Sequence, residues 1–160
     1  MGRSRDGAIR VGVISDTHGL LRPAALRALR GSDVIVHAGD VGDAKVLDGL
    51  CELAPTFAVR GNNDTGAWAA KLPRTTRLEV GSIGLFVLHE LPRLDLDPAA
   101  AHIDIVVSGH SHRPSVARRD GVVYVNPGSA GPRRFTLPVS VALLRITGRR
   151  VRARIVELEC

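Results

Sequence analysis

Two histidines stand one residue apart in "IDIVVSGHSHRP" (103–114), directly after an apolar run and a glycine. Ile103, Ile105, Val106 and Val107 read as a short buried strand, and Gly109 gives a tight exit, so His110 and His112 fall in the loop. Such a pair is either two polar loop residues or two metal ligands. The rest of the chain must supply the other ligands, and the same grammar recurs in it. Asp16, Thr17 and His18 follow "VGVIS"; Asp40 follows "VIVHAG"; Asn62, Asn63 and Asp64 follow "TFAVRG"; His89 follows "GLFVL". Oxygen and imidazole donors without thiolate suit Mn²⁺, Fe or Zn²⁺ better than Ca²⁺ or an iron–sulfur cluster. Asp16, His18, Asp40, Asn62, His89, His110 and His112 are more donors than one tetrahedral ion can use. Two ions sharing one bridging carboxylate would use them all.

The elements that must position these residues follow from periodicity. "RVGVIS" (10–15), "DVIVHAG" (33–39) and "TFAVRG" (56–61) read as strands. Between them lie two helical segments. One starts at Pro23 and stops at Gly31; the other carries Val46, Leu47, Leu50 and Leu53 at helical spacing. This β-α-β-α-β order predicts parallel strands with right-handed crossovers. Beyond the loop 62–73 the rhythm turns largely antiparallel. Hairpins are expected at "TTRLEV-GS-IGLFVLH", at "SVARRDGVVYV" and around Gly148. So many strands with so little helix predict an α/β fold: a four-layer α-β-β-α sandwich, two mixed β-sheets face to face and flanked by helices. In α/β sheets the ligand crevice lies at the carboxyl ends of the strands, so the polar residues should meet on one rim.

Composition sets the outer bounds. The chain of 160 residues suits one domain, 1–160. Hydrophobic residues make up 44% and aromatics only 3%, so the core must be Val, Leu, Ile and Ala. No stretch approaches the roughly 18 apolar residues of a membrane span. The start "MGRSRDGAIR" has no apolar signal segment, and Asp6 stands where a myristoylation motif wants Ser or Thr. The expected location is therefore cytoplasmic, with no membrane partner. Cys51 and Cys160 form no C-x-x-C pair; Cys51 reads as a small core residue. Net charge is +6, almost all of the cationic residues being Arg. Those arginines are scattered, and Arg149, Arg150, Arg152 and Arg154 look like the solvated face of a strand. Without basic clusters interleaved with aromatics, nucleic acid is not the expected partner. His37, inside an apolar run, reads as a hydrogen-bonded core histidine.

In order, the motifs resemble those of the calcineurin-like metallophosphoesterases, in particular the short bacterial and archaeal branch of YfcE-type phosphodiesterases. The family pattern D-x-H, G-D, G-N, lone His and G-H-x-H stands here as Asp16-Thr17-His18, Gly39-Asp40, Gly61-Asn62-Asn63-Asp64, His89 and Gly109-His110-Ser111-His112. "NPGS" (126–129) and a final pair of strands complete the likeness. The resemblance implies one metal on Asp16, His18, Asp40 and His112 and a second on Asp40, Asn62, His89 and His110, with Asp40 bridging. It implies Mn²⁺, with Ni²⁺, Fe²⁺ or Zn²⁺ as substitutes, and hydrolysis of a small phosphate ester, foremost a diester, by metal-bridging hydroxide. A homo-oligomer is left open.

Two departures matter. Many relatives carry His, a proton donor to the leaving group, where this chain has Asn63, whose amide can orient phosphate but cannot act as an acid. Glu90 stands where relatives have Gly; it would crowd an anionic substrate, act on a metal from outside its ligand shell, or point to solvent. Asp64 reads as a partner that steadies Asn62 or Asn63. "NPGS" reads as a loop closure, with Ser129 as a substrate contact in the alternative. Two other functions share the fold: a non-catalytic scaffold like a eukaryotic retromer subunit, whose catalytic ligands are lost, and a nuclease, which in larger relatives needs extra capping domains. A complete ligand set favours the enzyme.

Overall fold

The computed structural model describes residues 7–159. The readings of the first six residues and of Cys160 lie outside the described residues. The elements run β1 (Ile9–Ile14), α1 (Pro23–Leu29), β2 (Val34–His37), α2 (Ala44–Cys51), β3 (Thr56–Ala58), α3 (Ala67–Ala70), β4 (Thr75–Val80) and β5 (Ile83–Leu88). Then follow β6 (Ile105–Val107), β7 (Ser115–Arg119), β8 (Val122–Asn126), β9 (Ser140–Thr147) and β10 (Arg150–Glu157). Helix boundaries obey local chemistry. Pro23 opens α1, where its missing N–H costs nothing. The Asp43 side chain caps α2 by accepting from the Lys45 N–H.

Two five-stranded sheets form, in the orders β10-β9-β1-β2-β3 and β4-β5-β6-β8-β7. β1, β2 and β3 are parallel, as the β-α-β-α-β reading requires, and the three expected hairpins are present. The later half is less antiparallel than its hairpins suggest: β5, β6 and β8 run parallel to one another. The return from β5 to β6 passes through a 3₁₀ turn at Leu91–Arg93 and a loop, with no regular helix to announce a crossover.

The inner faces of both sheets meet in an aliphatic core. Val11, Val13 and Val36 from one sheet pack with Leu85, Val87, Ile105 and Val125 from the other, and no aromatic ring enters. Burying each such side chain contributes about 1.5–3 kcal/mol. Outside the first sheet, α1 and α2 pack Leu29, Val46 and Leu50 on Ile14, Ile35 and Val141. Outside the second sheet the fourth layer is thin: the 3₁₀ turn and following loop lay Leu91, Leu94 and Leu96 over Val106 and Val122. Cys51 is exposed, against the core reading. Val46 and Leu50 carry the buried stripe of α2, and Cys51, one residue beyond Leu50, turns away from it. Among the described residues no helix is long and apolar enough to cross a membrane.

Candidate metal centre

The carboxyl ends of β1, β2, β3, β5 and β6 lie along one rim, because all five strands run toward it. The loops leaving β1 and β2 run side by side. The Asp16 N–H donates to Gly39 O (3.0 Å), the His18 N–H to Asp40 O (3.0 Å) and the Gly19 N–H to Val41 O (2.8 Å). Their side chains therefore share one surface with His89, His110 and His112.

Two triads result. Asp16, His18 and His112 bring three donor atoms within 4.8 Å of one another, and so do Asp40, His89 and His110. Asp40 Oδ2 lies between them, 3.8 Å from His18 Nε2 and 3.3 Å from His89 Nε2. Asp16 Oδ1 lies 3.3 Å from His112 Nε2 and 4.0 Å from His18 Nε2. Asn62 Oδ1 joins the second triad, 3.0 Å from His89 Nε2. All seven expected ligands meet here.

The donor set fits cations. Asp16 Oδ1 and His18 Nε2 are buried without a hydrogen-bond partner. A buried carboxylate oxygen left bare is costly unless something positive faces it. His89 Nδ1 lies 2.7 Å from the acceptor Ala38 O, which fixes the N–H on that nitrogen. The opposite Nε2 faces the oxygens of Asn62 and Asp40, a position that either a proton or a metal ion can fill. Five of the seven residues, Asp16, His18, Asp40, His110 and His112, have left-handed backbones (φ 47–70°). That conformation is costly outside glycine and clusters at functional sites.

Bracing behind the donors keeps the strained loops in place. Asp16 Oδ2 accepts from Ser15 Oγ (2.6 Å) and from the His110 N–H (3.0 Å), leaving Oδ1 to face the cluster. Asp64 does not touch the cluster. Its carboxylate accepts from the Val41, Gly42 and Gly61 N–H groups (2.9–3.2 Å), tying the β2 and β3 loops together. Asn63 donates its backbone N–H to Asp40 Oδ1 (2.9 Å) and its amide to Asp40 Oδ2 (3.2 Å). A Cβ at Gly61 would collide with Asp40 Oδ1, so only glycine permits this approach. Ser129 Oγ donates to Asp16 O (3.0 Å), which makes "NPGS" a clamp on the β1 loop. His37 is a core histidine, as expected: Nδ1 accepts from the Gly39 N–H and Nε2 meets Thr17 Oγ1 at 3.0 Å. Glu90 accepts from Arg93 Nε at 2.7 Å and lies 3.8 Å from His110 Nδ1, so it is paired rather than loose in solvent.

The electrostatics follow from burial and partners. Burial would raise the Asp16 pKa, but the nearby His112 imidazole, the Ser15 hydroxyl and the positive potential of His89 hold it below its usual value. Burial also opposes ionisation of Asp40; contacts with His89, Asn63 and His18 prevail and lower its pKa to about 2. Both carboxylates are thus ionised at neutral pH. His89 is raised: burial disfavours its charge, and Asp40 with the Ala38 carbonyl outweighs burial. Burial drops His37 to about 4 against the pull of Asp16 and Asp64, so its ring is neutral.

Motif reading took Asn126 only as the start of the loop-closing "NPGS" and missed its hold on the ligand loop. Asn126 donates its amide to Gly109 O (3.0 Å) and Ser111 Oγ (3.1 Å), holding the loop that carries His110 and His112. The signal was present: Asn126 ends the apolar run "VVYV" just as the ligands end theirs.

Residues 9–149 match the calcineurin-like phosphoesterase superfamily domain. The chain is 34% identical to a probable metallophosphoesterase of Methanothermobacter thermautotrophicus, covering 92% of this chain and 91% of the relative. It is 31% identical to the phosphodiesterase YfcE of Escherichia coli, covering 81% and 84%. Vacuolar protein sorting 29 from Cryptosporidium parvum has the same fold, with a TM-score of 0.81 at 19% identity over 95% of this chain and 92% of that one. Fold, ordered motifs and relatives agree, and the chain belongs to the calcineurin-like phosphoesterase superfamily, in its YfcE-type branch.

Proposed function

We propose that this protein is a phosphodiesterase working with two divalent cations, Mn²⁺ foremost, on a small phosphate ester. Asp16, His18, Asp40 and His112 hold one ion; Asp40, Asn62, His89 and His110 hold the other. The observation that carries this reading is the pair of triads sharing Asp40 Oδ2, with Asp16 Oδ1 and His18 Nε2 buried and bare. Bound there, the ions would bring water's pKa toward about 7 and neutralise charge developing on the phosphoryl oxygens.

The chain's own residues do the rest. Asp40 is kept ionised by its neighbours and oriented by two Asn63 donors, so it is ready to bridge. Asp64 and Asn126 fix the spacing of the loops, and the left-handed backbones aim the donors inward. Asn63 offers an amide and no acidic proton, so the leaving group departs without help from this position. Activity on aryl diesters therefore falls steeply as the leaving phenol becomes more basic; a flat dependence would show that another group supplies the proton.

The scaffold reading rests on the fold shared with vacuolar protein sorting 29. The full set of seven donors on one rim argues for the enzyme. Stripping metal and restoring Mn²⁺, Ni²⁺, Zn²⁺ or Fe²⁺ singly, against a panel of chromogenic mono- and diesters, decides between them. Diester hydrolysis restored by Mn²⁺ supports the phosphodiesterase. Silence across the panel returns the protein to the scaffold class.

A further inference from the structure

Glu90 follows His89 directly, on the open side of the candidate centre. Its Oε1 lies 3.8 Å from His110 Nδ1, and its Oε2 accepts from Arg93 Nε at 2.7 Å. A single carboxylate therefore separates the Arg93 guanidinium from a ring of the Asp40, His89 and His110 triad. The segment that carries both residues is short and fixed. The Arg93 N–H donates to Glu90 O and the Leu94 N–H to Leu91 O, both at 3.0 Å, which closes the 3₁₀ turn. Leu91 and Leu94 pack on buried Val106 and Val122, which holds the turn against the second sheet.

A bracing ion pair does not account for Arg93. Exposed pairs of this kind add little stability, and two other arginine–carboxylate pairs show what a bracing arginine does. Arg77 reaches Glu79 and donates Nη1 and Nη2 to the carbonyls of Ala101 and His102. Arg149 reaches Asp104 and donates Nη1 to Ser82 O. Arg93 spends only Nε, on Glu90. Its Nη1 and Nη2 hydrogen-bond to no described residue, and its side chain is 77% exposed. A carboxylate standing alone at this edge would repel an anionic ester. Paired with Arg93, it becomes the anchor of a donor.

We infer that Arg93 is a specificity-determining residue for a second phosphate group on the ester, with Glu90 as its positioning residue. The inference rests on the phosphodiesterase reading for the chemistry at the scissile phosphate. Held through Nε, the guanidinium keeps its Nη1–Nη2 edge free, and that fork matches two phosphate oxygens at once. The substrate class is thus a diester that carries a further, terminal phosphate a few atoms from the scissile one. A side chain already fixed by Glu90 loses less freedom when that phosphate docks.

Two p-nitrophenyl esters of a nucleoside 5′-phosphate, one with a free 3′-hydroxyl and one with a 3′-phosphate, differ only in the second anion and test this. With Mn²⁺ added, the full chain should favour the 3′-phosphate ester in kcat/KM by about 10–100-fold. Arg93→Gln should erase that preference, the loss falling on KM rather than kcat. Glu90→Gln, which frees the guanidinium, should lose most of it. Arg152→Gln, on the other sheet, should keep it. Calorimetric titration with the matching pair of phosphonates, which are not hydrolysed, reads the same preference as a ratio of Kd values without turnover. If neither ester is cleaved but the phosphonates are told apart through Arg93, the phosphodiesterase reading fails and the Arg93 inference stands. If both esters are cleaved with equal kcat/KM, the reading stands and the inference is overturned. A preference that survives Arg93→Gln also overturns it, as does a 3′-carboxymethyl ester used as well as the 3′-phosphate. Neither cleavage nor discrimination would overturn both.

Discussion

The two halves of the candidate metal centre use similar residues and are enclosed differently. In the first, Asp16 and His112 are 0% and 3% exposed, and three side-chain atoms, Asp16 Oδ1, His18 Nε2 and His112 Nδ1, are buried without hydrogen-bond partners. Ser15, Ser129 and the His37–Thr17 contact brace its loop from behind. In the second, Asp40 and His89 are buried, but Asn62 and His110 face solvent. On the proposed two-ion reading the first half would offer two carboxylates and the second one, already shared, so charge and burial predict the tighter ion in the first half and the ester's approach from the more exposed second.

Variants should separate the halves, the most damaging at the atom they share. Asp40→Asn removes the common oxyanion; bound Mn²⁺ measured by elemental analysis should fall at both positions and diester hydrolysis should vanish. Full metal content in that variant would break the shared-bridge account. Next, His110→Ala should release one ion and leave the first half loaded, whereas His112→Ala should weaken the tighter position; metal titration reads the two apart. Asn126→Ala removes no ligand and should cost roughly 10–100-fold in activity or metal affinity. Its melting temperature should change less than that of Leu85→Ala, where an emptied core site costs about 2–5 kcal/mol.

The bracing of the first half should also be acid-sensitive. His37 titrates at about 4 in the folded chain and near 6.5 when exposed. Between those values the unfolded chain binds more protons, so stability is lost as pH falls from about 6.5 to 4. The loss attributable to this ring is about 3 kcal/mol. Metal-free protein should melt at lower temperature at pH 5 than at pH 7, with the His37 ring still neutral by NMR at pH 5. A charged ring at pH 5 would remove this brace from the account.

Much of this centre could be read from residue order. Asp16, Asp40, Asn62, His89 and His110 all stand within a few residues of an apolar run, and parallel strands carry such ends to one rim. Sequence was silent where long-range contact decides. Asp64 looks like a companion of its neighbours, yet its carboxylate reaches back across the β2 loop to the Val41 and Gly42 N–H groups. Cys51 was misplaced because a helical stripe is narrow and one step moves a residue off it. The parallel run β5-β6-β8 was hidden because a loop, not a helix, joins β5 to β6. Arg10 and Arg145 are likewise far apart in the chain and become neighbours only through the register of β1 with β9.

The central claim is that Asp40 bridges two ions of unequal enclosure. The most direct measurement is an anomalous diffraction map from crystals grown with Mn²⁺, phased on the protein alone. Two peaks about 4 Å apart are expected, one against Asp16, His18 and His112, the other against Asn62, His89 and His110, with Asp40 touching both and the second peak weaker at limiting Mn²⁺. A single peak, or two peaks with Asp40 bound to neither, would contradict it.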